Sequence, residues 1–257
     1  MDPLLFITGA SSGIGQALAR HAYDQGWRLA LVARRHDEIL RWAEAQQLDP
    51  ARYRIYRADV AEINSIVAAG QACVIEQGLP DVVVANAGIS VGMDTAERPD
   101  LDVLARTLAI NNVGLAATFH PFVAAMRARG SGRLVGIASV AAIRGLPGHG
   151  AYCASKAGVV SYCESLRGEL RGSGVRVVTL APGYVDTPLT RKNRYRMPFL
   201  MTPEAFARQA WPLIVRGVSY RVIPWPMGVV AKLLRLLPDA LFDRLLSGRP
   251  RKHRAAD

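Results

Sequence analysis

The apolar run Leu4–Thr8 passes directly into Gly9-Ala10-Ser11-Ser12-Gly13-Ile14-Gly15. A helical pattern follows over Ile14–Tyr23, with apolar residues three and four apart. A buried strand, a glycine turn and a helix in immediate succession leave few folds open. Glycine allows the tight reversal and lets a phosphate approach the backbone. The helix N-terminus adds unpaired N–H groups and a favourable dipole. A glycine-rich turn without a ligand is the other reading. The strand before it and the helix after it favour the phosphate. Gly9, Ser11, Ser12, Gly13, Ile14 and Gly15 are the residues in that role.

The same alternation continues down the chain. Further candidate strands are Leu29–Ala33, Tyr53–Arg57, Val82–Ala85, Leu134–Ala138, Val175–Leu180 and Arg221–Pro224. Helical spacing fills segments between them, for example Ile63–Ile75, Leu101–Met126 and Tyr152–Leu170. Such a pattern predicts an α/β fold, a doubly wound parallel sheet of seven strands with helices on both faces. At 257 residues, with 50% hydrophobic and 21% charged side chains, the chain can bury one sizeable core. Residues 1–226 form the expected domain, and 227–257 a C-terminal amphipathic helical extension with a basic end.

Some function classes are disfavoured. Cys73, Cys153 and Cys163 have no metal or disulfide spacing, and the five histidines form no ligand pair, so no metal is expected. An odd, sparse cysteine count suits a reducing compartment. No signal peptide or membrane span is predicted, and a cytoplasmic protein is expected. The net charge of +11 is lopsided: residues 1–190 carry 18 basic and 17 acidic side chains, residues 191–257 carry 14 and 4. No nucleic-acid motif accompanies it, so nucleic-acid binding is not expected.

Three further features carry chemistry. The second strand ends at Ala33-Arg34-Arg35, where an acid in dinucleotide folds would hold the ribose 2′-hydroxyl. Two guanidiniums without that carboxylate suit a 2′-phosphate, hence NADP(H), although they could simply solvate a loop. Ser139 stands at a strand end, able to bond a substrate carbonyl oxygen or merely to cap a turn. Tyr152 and Lys156, four apart, share one helix face. That pair can hold a helix surface together, or the ammonium can lower the pKa of the phenol and make it a usable acid.

Thr8-Gly-x-x-x-Gly-x-Gly15, Asn86-Ala87-Gly88, Ser139 and Tyr152-x-x-x-Lys156, in this order, resemble the short-chain dehydrogenase/reductase family in its compact single-domain branch. The resemblance covers residue 4 to about 225. It implies a Rossmann-type sheet and an NADP(H)-dependent oxidoreductase working between a carbonyl and an alcohol. In that reading Tyr152 is the general acid/base, and Lys156 lowers its pKa and bonds the nicotinamide ribose. Ser139 holds the substrate oxygen, and Asn111, preferred over Asn112, organises a proton relay. Asp59 and Val60 hold the adenine, though Asp59 alone would read as a helix N-cap. Asn86, Ala87 and Gly88 line the cofactor cleft. Pro182, Gly183, Val185 and Thr187 hold the nicotinamide carboxamide. The resemblance also implies a homo-oligomer built on Leu101–Met126 and Tyr152–Leu170.

Substrate walls are expected from Ile143, Leu146, His149, Tyr184 and the 188–201 stretch. Arg191, Lys192, Arg194 and Arg196 precede Met197-Pro-Phe-Leu-Met201, which reads either as a lid or as a solvated loop. In the extension, Val229, Val230, Leu233, Leu234 and Leu237 recur at helical spacing, as do Leu241, Phe242, Leu245 and Leu246. Pro238 is expected to separate two helices. Lys232, Arg235, Arg244 and the Arg249–Arg254 cluster flank these stripes. The arrangement suits packing on protein or peripheral contact with an anionic membrane. A nucleotide-binding regulator without turnover is the alternative function on the same fold, and a turnover assay separates it from an enzyme.

Overall fold

The structure, a computed structural model, describes residues 2–191, 193, 195–248 and 252–254. Leu4–Thr8 forms β1 with all five residues buried, as a strand covered on both faces requires. The glycine turn leads into α1 (Gly13–Asp24). β2 (Arg28–Ala33), α2 (His36–Ala45), β3 (Tyr53–Arg57), α3 (Ile63–Gln77) and β4 (Val82–Ala85) follow. The second half runs α4 (Arg98–Leu108), α5 (Gly114–Arg129), β5 (Gly132–Ile137), α6 (Gly150–Glu169), β6 (Val175–Pro182), α7 (Pro203–Arg216) and β7 (Tyr220–Ile223). Two helices, α8 (Trp225–Leu236) and α9 (Asp239–Leu246), extend it.

The strands lie in the order β3-β2-β1-β4-β5-β6-β7, and every pairing is parallel. This is the doubly wound Rossmann-type sheet that the alternation predicts. The order reverses between β1 and β4, which opens a crevice at the carboxyl ends of those strands. Alternation along β1 feeds two cores. Leu4 and Phe6 join Phe119, Phe122 and Met126 of α5, while Leu5 and Ile7 join Leu18 of α1 and Phe206 and Ala210 of α7. Phe6 and Phe122 meet edge to face with centroids 4.8 Å apart. Truncating Phe122 to alanine would cost about 3–5 kcal/mol. A β-carbon at Gly136 of β5 would stand 2.7 Å from Cys163 Sγ. Glycine therefore lets α6 lie close on β5, and that approach sets the height of Tyr152 and Lys156 above the sheet.

Where the structure departs from the sequence reading, local chemistry explains it. Leu101–Met126, read as one helix, is α4 and α5 joined by a π-turn over Ala109–Val113. Such wide turns cluster at functional sites, and this one carries Asn111 inward, to 1% exposure. Pro238 does separate α8 from α9, with Asp239 in the first turn of α9. Arg144, unremarked in the sequence, joins the two helices. Its guanidinium donates to the carbonyls of Leu234 and Leu237 and, at 2.8 Å, to the Asp239 carboxylate. It also lies 3.7 Å over the Phe242 ring. Two described residues of the basic terminal cluster do not flank the apolar stripe as expected. Lys252 is buried and Arg254 bonds the buried carboxylate of Asp100, because a carboxylate held away from water requires a cation. Arg249, Pro250 and Arg251 of that cluster, and Lys192 and Arg194, lie outside the described residues.

Candidate active site

A cleft of about 250 Å³ opens at the carboxyl ends of β1, β4, β5 and β6. Every catalytic and cofactor residue read from the sequence lines it except Gly15 and Asn111; of the expected substrate walls Pro188, Leu189 and Thr190 line it, whereas Ile143, Leu146, His149 and Tyr184 do not. Gly15 sits beneath the loop, where a β-carbon would collide with the Gly9 carbonyl. Asn111 lies one layer below the cleft wall.

The nucleotide end is built by α1 and the end of β2. Gly13 has φ +56°, and a side chain there would also press 2.9 Å from Thr187. Ser12 stands at the N-cap in extended conformation, yet its side chain makes no capping bond. The first-turn amides of α1 are thus left to an anion. Arg35 donates to Ser11 Oγ at 3.2 Å and pairs with Glu38. Arg34 lies 3.5 Å from Asp59. Asp59 is not the N-cap of α3, a position held by Glu62; its carboxylate accepts from the Ala61 amide at 3.0 Å. Uncapped amides and two guanidiniums, with Ala33 in place of a carboxylate, form a donor set that fits a phosphorylated dinucleotide. Asn86 ties β1 to β4: its side chain donates to the carbonyls of Thr8 and Gly9 at 3.0 and 3.3 Å, and its amide donates to Thr8 Oγ1.

The reacting end is built by β5, α6 and the π-turn. Ser139 caps the short turn after β5, accepting from the Ala141 amide at 3.2 Å, and lines the cleft together with Tyr152. Burial raises the phenol above its ordinary value, and the neighbouring Ser139 hydroxyl pulls it partly back. The lowering expected from Lys156 is not what sets the phenol here. The ammonium is 5.8 Å from the ring centroid and donates at 2.7 Å to the Ile137 carbonyl. Burial brings Lys156 itself down to about 8, so the ammonium still prevails at pH 7. Asn111 accepts from the Ile89 amide at 2.9 Å and donates to the Ile89 carbonyl and to Ser155 Oγ at 3.0 and 2.9 Å. A β-carbon at Gly88 would stand 3.1 Å from Asn111 Oδ1 and 3.5 Å from Lys156 Nζ. Asn112 instead reaches the Ser155 carbonyl.

Sequence reasoning passed over Ser155, whose hydroxyl donates to the Tyr152 carbonyl at 2.8 Å and receives Asn111. Its position between Tyr152 and Lys156 was the available signal. It also left Tyr195 unnamed inside the 188–201 stretch. The Tyr195 hydroxyl is 3.3 Å from His149 Nε2, and its ring faces Tyr184 with centroids 6.2 Å apart. A lone aromatic among basic residues was the only hint. Of those bases, Arg191 pairs with Asp186 in solvent.

The fold and this cleft are those of a Rossmann-type oxidoreductase. The chain belongs to the short chain dehydrogenase family, whose profile matches residues 4–197. An uncharacterized oxidoreductase of Myxococcus xanthus is 37% identical over 237 residues, 92% of this chain and 93% of its own. An alcohol dehydrogenase from the archaeon Thermococcus sibiricus, complexed with 5-hydroxy-NADP, superposes with a TM-score of 0.77 at 25% identity, over 87% of this chain and 96% of that one. A 3-ketoacyl-(acyl-carrier-protein) reductase from Brucella melitensis, complexed with NADH, also superposes with a TM-score of 0.77, at 26% identity over 86% and 96%.

Proposed function

We propose that the protein reduces a carbonyl compound, or oxidises the matching secondary alcohol, with NADP(H). The observation that carries this reading is that Ser139, Tyr152 and Lys156 line the cleft together, with Lys156 buried and bonded to the Ile137 carbonyl. Bound NADPH would supply the hydride. Ser139 holds the substrate oxygen and stabilises the charge that develops on it. The Tyr152 phenol, kept protonated by burial, donates its proton to that oxygen; in the reverse direction the phenolate takes it back. The Lys156 ammonium favours the phenolate by its charge. Asn111 positions this helix through Ser155 and organises the route by which the proton is renewed. Arg34 and Arg35 select the 2′-phosphate. Asp59, Val60 and the Pro182–Thr187 segment seat the two ends of the cofactor.

Replacing Tyr152 with phenylalanine tests the reading. A positioned acid contributes about 10² to 10⁴ in rate, so turnover falls by that factor while NADPH still binds. A near-normal rate would remove Tyr152 from the chemistry. Self-association through α4–α5 and α6 is supported by the exposure of Leu101 and Leu108 on α4 and Tyr162 on α6, and light scattering measures it. A cytoplasmic location suits three free, buried cysteines. Peripheral contact with an anionic membrane is favoured by one observation, the exposed apolar stripe of α8.

A further inference from the structure

The chain after β4, the chain after β5 and the chain after β6 enclose the substrate side of the cleft. Because the strands run β4-β5-β6, the first and third of these lie on either side of Ser139 at the end of β5. Residues 252–254 touch both sides. On the β6 side, Lys252 Nζ donates to the Leu189 carbonyl at 3.0 Å and to Asn193 Oδ1 at 2.7 Å. On the β4 side, Gly92 forms an isolated parallel bridge with Arg254, and its amide donates at 2.7 Å to the His253 carbonyl. Arg254 Nε then donates at 2.8 Å to the Asp100 carboxylate, which is 1% exposed and also receives the Asp94 amide at 2.7 Å.

The dimensions agree with a crossing. Three extended residues reach roughly 10 Å, and two strand spacings are also roughly 10 Å. The Arg254–Asp100 pair is no loose surface contact, because removing the guanidinium would strand a buried carboxylate. Gly92 is shaped for the contact, since a β-carbon there would collide with the Lys252 carbonyl. Near Lys252, His149 bonds Tyr195 beside Tyr184. His149 is held below its ordinary value first by burial, with the nearby Lys252 charge acting in the same direction.

We propose that Lys252, His253 and Arg254 form a strap that closes the substrate side of the cleft, and that its latch to Asp100 sets the bulk of the carbonyl compound the site admits. This rests on the carbonyl-reductase reading above. The experiment compares the full chain with Arg254→Ala, Arg254→Lys and Gly92→Val, using NADPH with an acyclic four-carbon ketone and with a fused bicyclic ketone. The ratio of kcat/KM for the bulky over the small ketone rises about tenfold in Arg254→Ala and Gly92→Val, the scale of a lost pocket constraint. Arg254→Lys returns it most of the way, and NADPH affinity stays constant across the set. An unchanged ratio in both opening variants overturns the proposal. Amide hydrogen exchange at Gly92 reads the strap without turnover: slow in the full chain and faster in Arg254→Ala. Equal exchange overturns the strap whatever the activity, whereas absence of turnover with every carbonyl compound overturns only the reductase reading.

Discussion

The guanidinium of Arg34, just after β2, lies 3.5 Å from the carboxylate of Asp59, just after β3, and both line the cleft. Both side chains are partly solvated, so the pair is weak and readily rearranged. Asp59 thus parks Arg34 where a 2′-phosphate would compete for it. We expect preference for NADPH over NADH by about 10- to 100-fold in kcat/KM, the scale of a charge-assisted hydrogen bond. Changing Ala33 to Asp together with Arg34 to Leu should reverse it. Equal specificity constants for the two cofactors in the unaltered protein would defeat the assignment.

Lys156 gives a pH signature. Its folded pKa is about 8, below the ordinary lysine value, because burial penalises the charge. Between about 8 and the ordinary value the unfolded chain binds more protons, so this group's contribution to stability improves as pH rises through that window. The three buried cysteines, raised by burial, act in the opposite sense. The measurement is therefore the difference in Tm between the protein and Lys156→Met, followed with pH. The variant should be the more stable of the two at pH 7, and its advantage should shrink towards pH 10. A difference independent of pH would place the lysine charge outside the buried layer.

Asn111 separates structure from chemistry. Its amide fills three bonds between the Ile89 backbone and Ser155. Asn111→Leu strands those groups and should cost roughly 1–3 kcal/mol, read as a lower denaturant midpoint, together with a loss of kcat. Asn111→Asp keeps the acceptor for the Ile89 amide and should recover part of the stability but little of kcat. Full kcat in a destabilised Asn111→Leu would confine the residue to holding the π-turn.

The contrast between Gly9–Gly15 and residues 252–254 shows what a sequence can disclose. The loop is legible because its chemistry is local: strand, glycine turn and helix follow one another, and each constrains its neighbour. β1 and β3 run over the residues that periodicity picks out, Leu4–Thr8 and Tyr53–Arg57. Tyr152 and Lys156 are legible for the same reason, lying one helical turn apart. The π-turn is not, since its extra residue leaves the apolar spacing almost intact. The Arg254–Asp100 pair joins residues 154 positions apart, and no periodicity encodes such a contact. The terminal bases were expected to flank the apolar stripe, and a charge count cannot see the buried carboxylate that takes up Arg254. Spacing shows Lys156 beside Tyr152 but not the burial that raises the phenol, because burial is a property of the fold.

The last prediction concerns α8. Its inner face buries Met227, Gly228 and Ala231 beside β7, while Trp225, Val229, Leu233 and Leu236 stand on the opposite face, with Trp225 72% and Leu236 80% exposed. The helix contains no acidic residue, and Lys232 and Arg235 border the stripe. A tryptophan and leucines beside cations suit an anionic lipid interface, each basic residue adding about 1 kcal/mol near such a surface. Two copies stacked face to face would instead bring those cations together. Lys252 and Arg254, bonded to the body of the protein, lend no help. Deleting the helix would uncover the β7 side of the core, so the proper test is by point changes on the outer face. The protein should pellet with phosphatidylserine vesicles at low salt and be released at high salt. Trp225→Ala with Leu233→Glu should abolish pelleting while leaving Tm and NADPH binding unchanged. Full recovery of the unaltered protein in the supernatant at low salt would refute membrane contact.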